Sequence, residues 1–211
     1  MDTDDVAGYG NIVTAPSGQG GIVSASGSAH AIVTQAGTPG SETGPFTRFD
    51  GYRDTFEDGF KTTVDIYLDT NWASGEGFDY SVAANGSDGN HQRDFIFHFT
   101  KDTSTGELLV GASNNTNFDP REDLETINHA VIDTSGWYTL EHLFFEGEDG
   151  TLNVAMSIFD ADGNWLFNEV RNSATDTIPA EVGGNRYGWF TNVDIVGGIA
   201  VDNVELVGFT A

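Results

Sequence analysis

The densest group of side chains able to do chemistry is Asn90-His91-Gln92-Arg93-Asp94-Phe95-Ile96-Phe97-His98, which gathers two of the five histidines beside one of only eight basic residues. If this stretch is a strand, alternation puts Phe95, Phe97 and Phe99 on one face and Gln92, Asp94, Ile96 and His98 on the other. The Phe face is expected to be core. Asp65, Tyr67 and Asp69, then Asp79 and Ser81, are the outward residues of neighbouring strand-like runs, so a polar and aromatic surface suited to hydroxyl-rich ligands is predicted there.

Cation scarcity makes each arginine informative. Acidic residues number 33 against 8 Lys and Arg, for a net charge of −25, so Arg48, Arg93 and Arg186 are expected to have specific carboxylate or ligand partners. An intramolecular Arg–Asp pair is the plainer expectation, and a groove gripping an acidic sugar the sharper one. In Gly183-Gly184-Asn185-Arg186-Tyr187-Gly188-Trp189-Phe190, Tyr187 and Trp189 are able to stack on a pyranose ring or to fill the core. Parity groups Tyr187, Trp189, Thr191 and Val193 on one face, which favours core for Trp189 and exposure for Arg186. Substrate-binding candidates are therefore Arg48, Tyr67, Gln92, Arg93, Asp94, His98, Arg186, Tyr187 and Trp189.

Cleavage of a uronate by β-elimination needs a group that neutralises the carboxylate and a base near the C5 proton. Arg93 and Arg186 as carboxylate clamps, with His98 or Tyr67 as the base, supply those types. Glycoside hydrolysis needs two carboxylates about 5 to 9.5 Å apart, and composition leaves that open. There is no Cys, no Gly-x-Ser-x-Gly elbow, no phosphate-binding loop, and no His-x-x-x-His pair among His30, His91, His98, His129 and His142. His142 alternates with Tyr138, Leu140 and Phe144 and is expected in the core. Asp160-Ala161-Asp162-Gly163-Asn164 starts like a calcium loop, but Arg171 stands at the twelfth position, so a hairpin turn is predicted. Asp202 interrupts an apolar run and is the one metal-ligand candidate: a structural Ca²⁺ would satisfy it, as would an arginine or backbone donors.

These groups must be held by strands. Alternation is clearest in Thr63-Val64-Asp65-Ile66-Tyr67-Leu68-Asp69, and strand-like runs recur at 78–84, 94–100, 108–113, 138–146, 152–159, 165–171, 187–193 and 199–207 between Gly, Asn and Asp turns. Residues 137–171 read as a three-stranded meander. No sustained helical periodicity is present. Residues 1–8 read as a flexible tail, the Gly-rich start up to residue 45 as short edge strands, and residues 9–211 as one domain. The fold class predicted is an all-β, antiparallel jelly-roll sandwich with a groove on a concave sheet.

Composition excludes several partners. Nucleic acid needs clustered Lys and Arg, and no apolar run is long enough to insert into a membrane. The acidic start Met1-Asp2-Thr3-Asp4-Asp5 is the opposite of a basic leader region, which fits either a mature form whose signal peptide was trimmed or a native cytosolic start; the expectation adopted is a secreted or extracellular protein whose signal peptide is not part of this chain. The acidity itself suits solubility in a saline habitat.

On Phe46-Thr47-Arg48-Phe49-Asp50-Gly51-Tyr52, the Trp137-Tyr138 strand and its meander, the Gly184 to Phe190 run and the closing Val201-Asp202-Asn203-Val204-Glu205-Leu206, the chain resembles the concanavalin A-like lectin/glucanase superfamily, in particular secreted bacterial jelly-roll domains. The resemblance spans roughly residues 40–207. It implies glycan ligands, a groove on the concave sheet and often a structural calcium. The chain departs from the superfamily's catalytic branches: the Glu-x-Asp-x-x-Glu strand of laminarinase-like hydrolases and the Arg-x-Glu-x-Arg, Gln-Ile-His and Tyr-Phe-Lys strands of jelly-roll alginate lyases are absent. The expectation is carbohydrate binding, directed at an extracellular polysaccharide, an acidic one in the sharper reading. Its alternatives are a polysaccharide lyase and a structural protein that self-assembles through sandwich edges.

Overall fold

The computed structural model describes residues 10–35, 44–47, 53–56, 58–85, 90–115, 120–172, 182–184 and 187–209. Arg48, Arg186, residues 49–52 and the predicted tail at 1–8 lie outside the described residues. The strands are β1 (Gly10–Pro16), β2 (Ala29–Gln35), β3 (Phe46–Thr47), β4 (Arg53–Phe56), β5 (Phe60–Leu68), β6 (Gly77–Asn85), β7 (His91–Lys101), β8 (Leu108–Asn114), β9 (His129–Ile132), β10 (Gly136–Glu146), β11 (Leu152–Phe159), β12 (Trp165–Arg171), β13 (Val182–Gly184), β14 (Gly188–Thr191) and β15 (Ile199–Gly208). The helical pieces among the described residues are two short 3₁₀ turns, Gln19–Gly21 and Arg121–Thr126.

Two antiparallel sheets result, one of seven strands in the order β1-β2-β15-β5-β10-β11-β12 and one of eight whose main path is β3-β14-β6-β7-β8-β9. This is the jelly-roll-like β-sandwich expected. The 137–171 meander is present as β10, β11 and β12. Of the apolar pairs in the Gly-rich start, Ile12-Val13 and Ile32-Val33 lie in the β1–β2 hairpin at one edge, whereas Val23 sits in the connecting loop and is exposed.

Alternation decides which residues meet between the sheets. In β5, Phe60, Val64, Ile66 and Leu68 are buried, while Lys61, Thr63, Asp65 and Tyr67 lie on the opposite face. Facing them across the sandwich, β7 buries Phe95, Phe97 and Phe99. Cross-strand rings stack within each sheet: Phe60 on Phe144 with centroids 4.2 Å apart, and Phe78 on Phe99 at 4.6 Å. Such pairs stabilise a register by a few tenths to about 1 kcal/mol each.

Tight turns behave as Asp-Gly chemistry requires. Asp160 Oδ1 accepts the backbone N–H groups of Asp162 and Asn164, and Gly163 takes φ 80°, so the hairpin reading of this segment holds. Asp202 is served by backbone donors: its two oxygens accept from the N–H groups of Ser26 and Asn203 at 3.0 Å. It sits where β15 bulges between Asp202 and Glu205, with Asn203 at φ 46°. Among the described residues no group of three or more His, Asp or Glu side chains is arranged to hold a metal ion.

His142 is fully buried, as alternation required, with Nε2 donating to the Phe95 carbonyl at 3.1 Å. Burial pushes its imidazole down from 6.5 to about 3, because a charged ring would have no water around it. The unfolded chain therefore takes up a proton near pH 6.5 that the native state refuses, and stability falls as pH drops below that value. By pH 4.5 the loss from this one group is about 3 kcal/mol. Burial alone would raise the Asp102 carboxyl, but donors from Thr105 and Ser104 outweigh it and hold it below the ordinary value, so its contribution is lost only in stronger acid. His142→Gln, which keeps a donor for Phe95, is expected to flatten the dependence of the urea midpoint between pH 7 and 4.5; an unchanged slope would show that His142 does not carry it.

Candidate functional site

The outer face of the eight-stranded sheet carries a groove of about 460 Å³. Its floor is built by outward residues of three adjacent strands: Asp79 and Ser81 on β6, Asp94 and Ile96 on β7, and Trp189 and Thr191 on β14. Asn115 and Asn192 close its ends. The register aligns them, since Asp79 faces Thr191 and Ser81 faces Trp189 across β6 and β14.

Trp189 is thus on the outer face and partly exposed, against the core position that parity favoured. The reason is that Tyr187 precedes β14 and turns inward, so the alternation does not run through residue 188. Tyr187 is completely buried, with its ring edge-on to Phe56 and Phe60, and a sugar does not reach it there. Gln92 and Asp94 are on the groove side of β7 as predicted, with Gln92 exposed. Arg93 is not a clamp on that face: it shares parity with Phe95, is buried, and reaches Asn114 Oδ1 with Nη1 at 3.4 Å. Tyr67 belongs to β5 in the other sheet, where its ring meets Trp137 edge-on at 5.6 Å. It is separated from His98 by the whole core, because like parity on two strands does not place them in one sheet.

His98 lies on the expected face but under cover. Its Nδ1 donates to Asp79 Oδ1 at 2.7 Å, and Nε2 accepts from the Ser113 hydroxyl at 2.6 Å. The other Asp79 oxygen accepts from the Asn192 side-chain amide. His98 and Ser113 are fully buried and Asp79 nearly so, forming a carboxylate–imidazole–hydroxyl line across β6, β7 and β8. The cover is the Arg121–Thr126 turn, whose Leu124 is completely buried. Gly111, opposite His98 in the ladder, makes room for it: a Cβ there would lie 2.8 Å from Leu124 Cδ2. Arg121 ties the turn to the groove, donating to the Asn192 carbonyl at 2.8 Å and to Asp194 at 2.7 Å. Asn192 is left-handed at φ 51°, a conformation that non-Gly residues hold where surrounding contacts impose it, often at functional sites.

One residue of the groove went unnoticed in the sequence. Asn192 has no motif to announce it. His91, part of the chemistry-bearing stretch picked out in the sequence, does not itself line the groove but reaches it through Asp94: its Nε2 lies 3.2 Å from Asp94 Oδ2, and its side chain is 45% exposed. Asp94 Oδ1 is buried without a hydrogen-bond partner among the described residues.

No protein-family model matches the chain, and no curated protein matches it. Among solved structures it is similar to an endo-β-1,4-glucuronan lyase from the fungus Trichoderma reesei, at 13% identity and TM-score 0.48 over 96% of this chain and 90% of that one. It is similar to a mutant of the alginate lyase Aly36B in complex with alginate trisaccharide, at 11% identity and TM-score 0.47 over 95% and 82%. A third likeness is to the CBM2 module of the evolved Dit of Lactobacillus casei BL23 phage J-1, at 11% identity and TM-score 0.42 over 84% and 74%. No helix among the described residues is long and apolar enough to cross a membrane.

Ser113→Ala removes the hydroxyl that meets His98 Nε2 inside the sheet, without touching the groove floor. It is expected to cost about 1–3 kcal/mol, seen as a fall in Tm of roughly 2–4 °C per kcal/mol. A Tm equal to that of the unsubstituted chain would mean the hydroxyl contributes nothing to the line.

Proposed function

We propose that this chain acts on a polysaccharide lying across the outer face of the eight-stranded sheet, and that the reaction there is β-elimination on a uronate-containing chain. The observation that carries the reading is Asp94: one oxygen orients an exposed histidine, while the other is buried without a partner among the described residues, in the groove that Trp189 also lines. A buried acceptor without a partner is costly, and a sugar hydroxyl would satisfy it.

The chemistry follows from which groups are engaged. Hydrolysis needs two working carboxylates, but both oxygens of Asp79 are held, by His98 and Asn192. That leaves Asp94 as the one available carboxylate among the described lining residues. Elimination needs a single base. With its Nε2 hydrogen given to Asp94, His91 keeps the Nδ1 lone pair to take the C5 proton, as an oriented imidazole does elsewhere. The electrons of that C–H bond form the C4–C5 double bond as the C4–O bond breaks, and the leaving oxygen takes a proton from solvent. The Asn115 amide and the second amide hydrogen of Asn192, whose first goes to Asp79, are the donors assigned to the uronate carboxylate, whose charge delocalises as the proton leaves. His98 serves as a positioning residue that fixes Asp79 and, through it, Asn192.

Recognition without cleavage is the second reading, favoured by what the floor lacks: Asp79 and Asp94 line it, and no Lys or Arg among the described residues is there to neutralise a uronate carboxylate, as elimination requires. Incubation with alginate and with glucuronan separates the two. Growth of the unsaturated-uronate absorbance that falls about a hundredfold or more in His91→Ala supports elimination. Retention of these polymers without turnover, weakened in Trp189→Ala, supports recognition alone. Absence of both turnover and retention overturns the proposal.

A further inference from the structure

We infer that the outer face of the seven-stranded sheet is a second glycan-binding groove, independent of the first, which takes an uncharged hexose chain with Trp137 as its stacking platform. The groove is larger than the one across the sandwich, about 680 Å³. Its floor consists of the outward residues of two paired strands, Lys61, Thr63 and Asp65 on β5 with Trp137, Thr139 and Glu141 on β10. Residues 23–25 wall one side and the turn between β11 and β12 the other.

Trp137 is half-buried and locked. Its indole N–H donates to the Val23 carbonyl at 2.7 Å, and the rings of Tyr67 and His30 meet it edge-on with centroids at 5.6 and 5.9 Å. With its one polar atom engaged and its rotation blocked, what the side chain still offers is an aromatic face, at no further cost in rotamer entropy on binding. Beside it, Asp65 accepts from the Thr139 hydroxyl at 2.6 Å and from the Asn203 amide at 2.7 Å, so those polar groups are also fixed in advance. Lys61, one of two lysines in a chain of net charge −25, stands 3.3 Å from Glu141 with its side chain 35% exposed. That pair presents a donor and an acceptor side by side, the pattern that adjacent sugar hydroxyls match.

The surroundings select the occupant. Asp65, Glu141 and Asp160 outnumber Lys61 along the groove, which disfavours uronates and sulfated sugars. An extended peptide would need an open strand edge, and here β5 and β10 are each paired on both sides, to β15 and to β11 as well as to one another. A chain of neutral hexoses needs only the ring face and the hydroxyl partners.

The test is native affinity electrophoresis of the full chain in gels containing a soluble neutral glucan, mannan or galactan, with alginate as the acidic counterpart. At least one neutral polymer is expected to retard the protein. Trp137→Ala is expected to weaken this about tenfold or more, equal to about 1.4 kcal/mol. Ala161→Arg, at an exposed turn position on the wall, is expected to block the groove with the core untouched, which covers the case that Trp137→Ala fails to fold. Trp189→Ala is expected to leave neutral-glycan retardation unchanged. The inference is overturned if no neutral polymer retards the protein, if Trp189→Ala abolishes retardation while Ala161→Arg does not, or if Ala161→Arg acts only by dissolving a dimer seen on size-exclusion chromatography. None of those outcomes bears on turnover of uronates at the other groove.

Discussion

Register is the constraint on which the rest of this molecule depends. The stacked pairs Phe60–Phe144 and Phe78–Phe99 bind neighbouring strands inside each sheet, and a slip of one residue would exchange every inward side chain for an outward one. Such a slip would carry Asp65 into the aromatic layer on one side and Asp94 on the other. With no cysteine in the sequence to staple it, the fold is specified by this interleaving of rings. The positions of both outer grooves are a by-product of the same alternation.

Alternation is also why much of the fold could be read from the sequence. The run from Thr63 to Asp69 and the triple Phe95, Phe97, Phe99 announce their buried faces, and the Asp160–Asn164 turn with Gly163 announces its hairpin. The periodicity cannot say which strands share a sheet. Tyr67 and His98 carry equally clear outward signals, yet β5 and β7 lie in different layers. Local departures from the pleat were equally illegible. Tyr187 lies one residue before β14 begins, so its parity tells nothing of Trp189, and Arg93 obeys the Phe parity that its charge seemed to forbid.

The line Asp79–His98–Ser113 shows how a polar group can face outward and still be dry. Alternation sends His98 away from the core, but the Arg121–Thr126 turn folds over β7 and β8 and seals it with Leu124. A 3₁₀ turn of six residues has too little periodicity to be recognised, and its packing depends on a missing side chain at Gly111. Inside that seal each hydrogen bond is strengthened by the low dielectric, so the carboxylate that reaches the groove is held stiffly rather than left to wander.

Arg121 gives this arrangement a mechanical side. Its guanidinium spans from the cover to both the Asn192 carbonyl and Asp194, so the roof over His98 and the end of the groove are braced as one piece. The same turn seats Leu124 against Gly111, the residue opposite His98 in the ladder, so the brace and the cover of the imidazole share one short segment. Rigidity in this part of the sandwich is therefore a property of a strut between two loops as much as of the sheet that carries them.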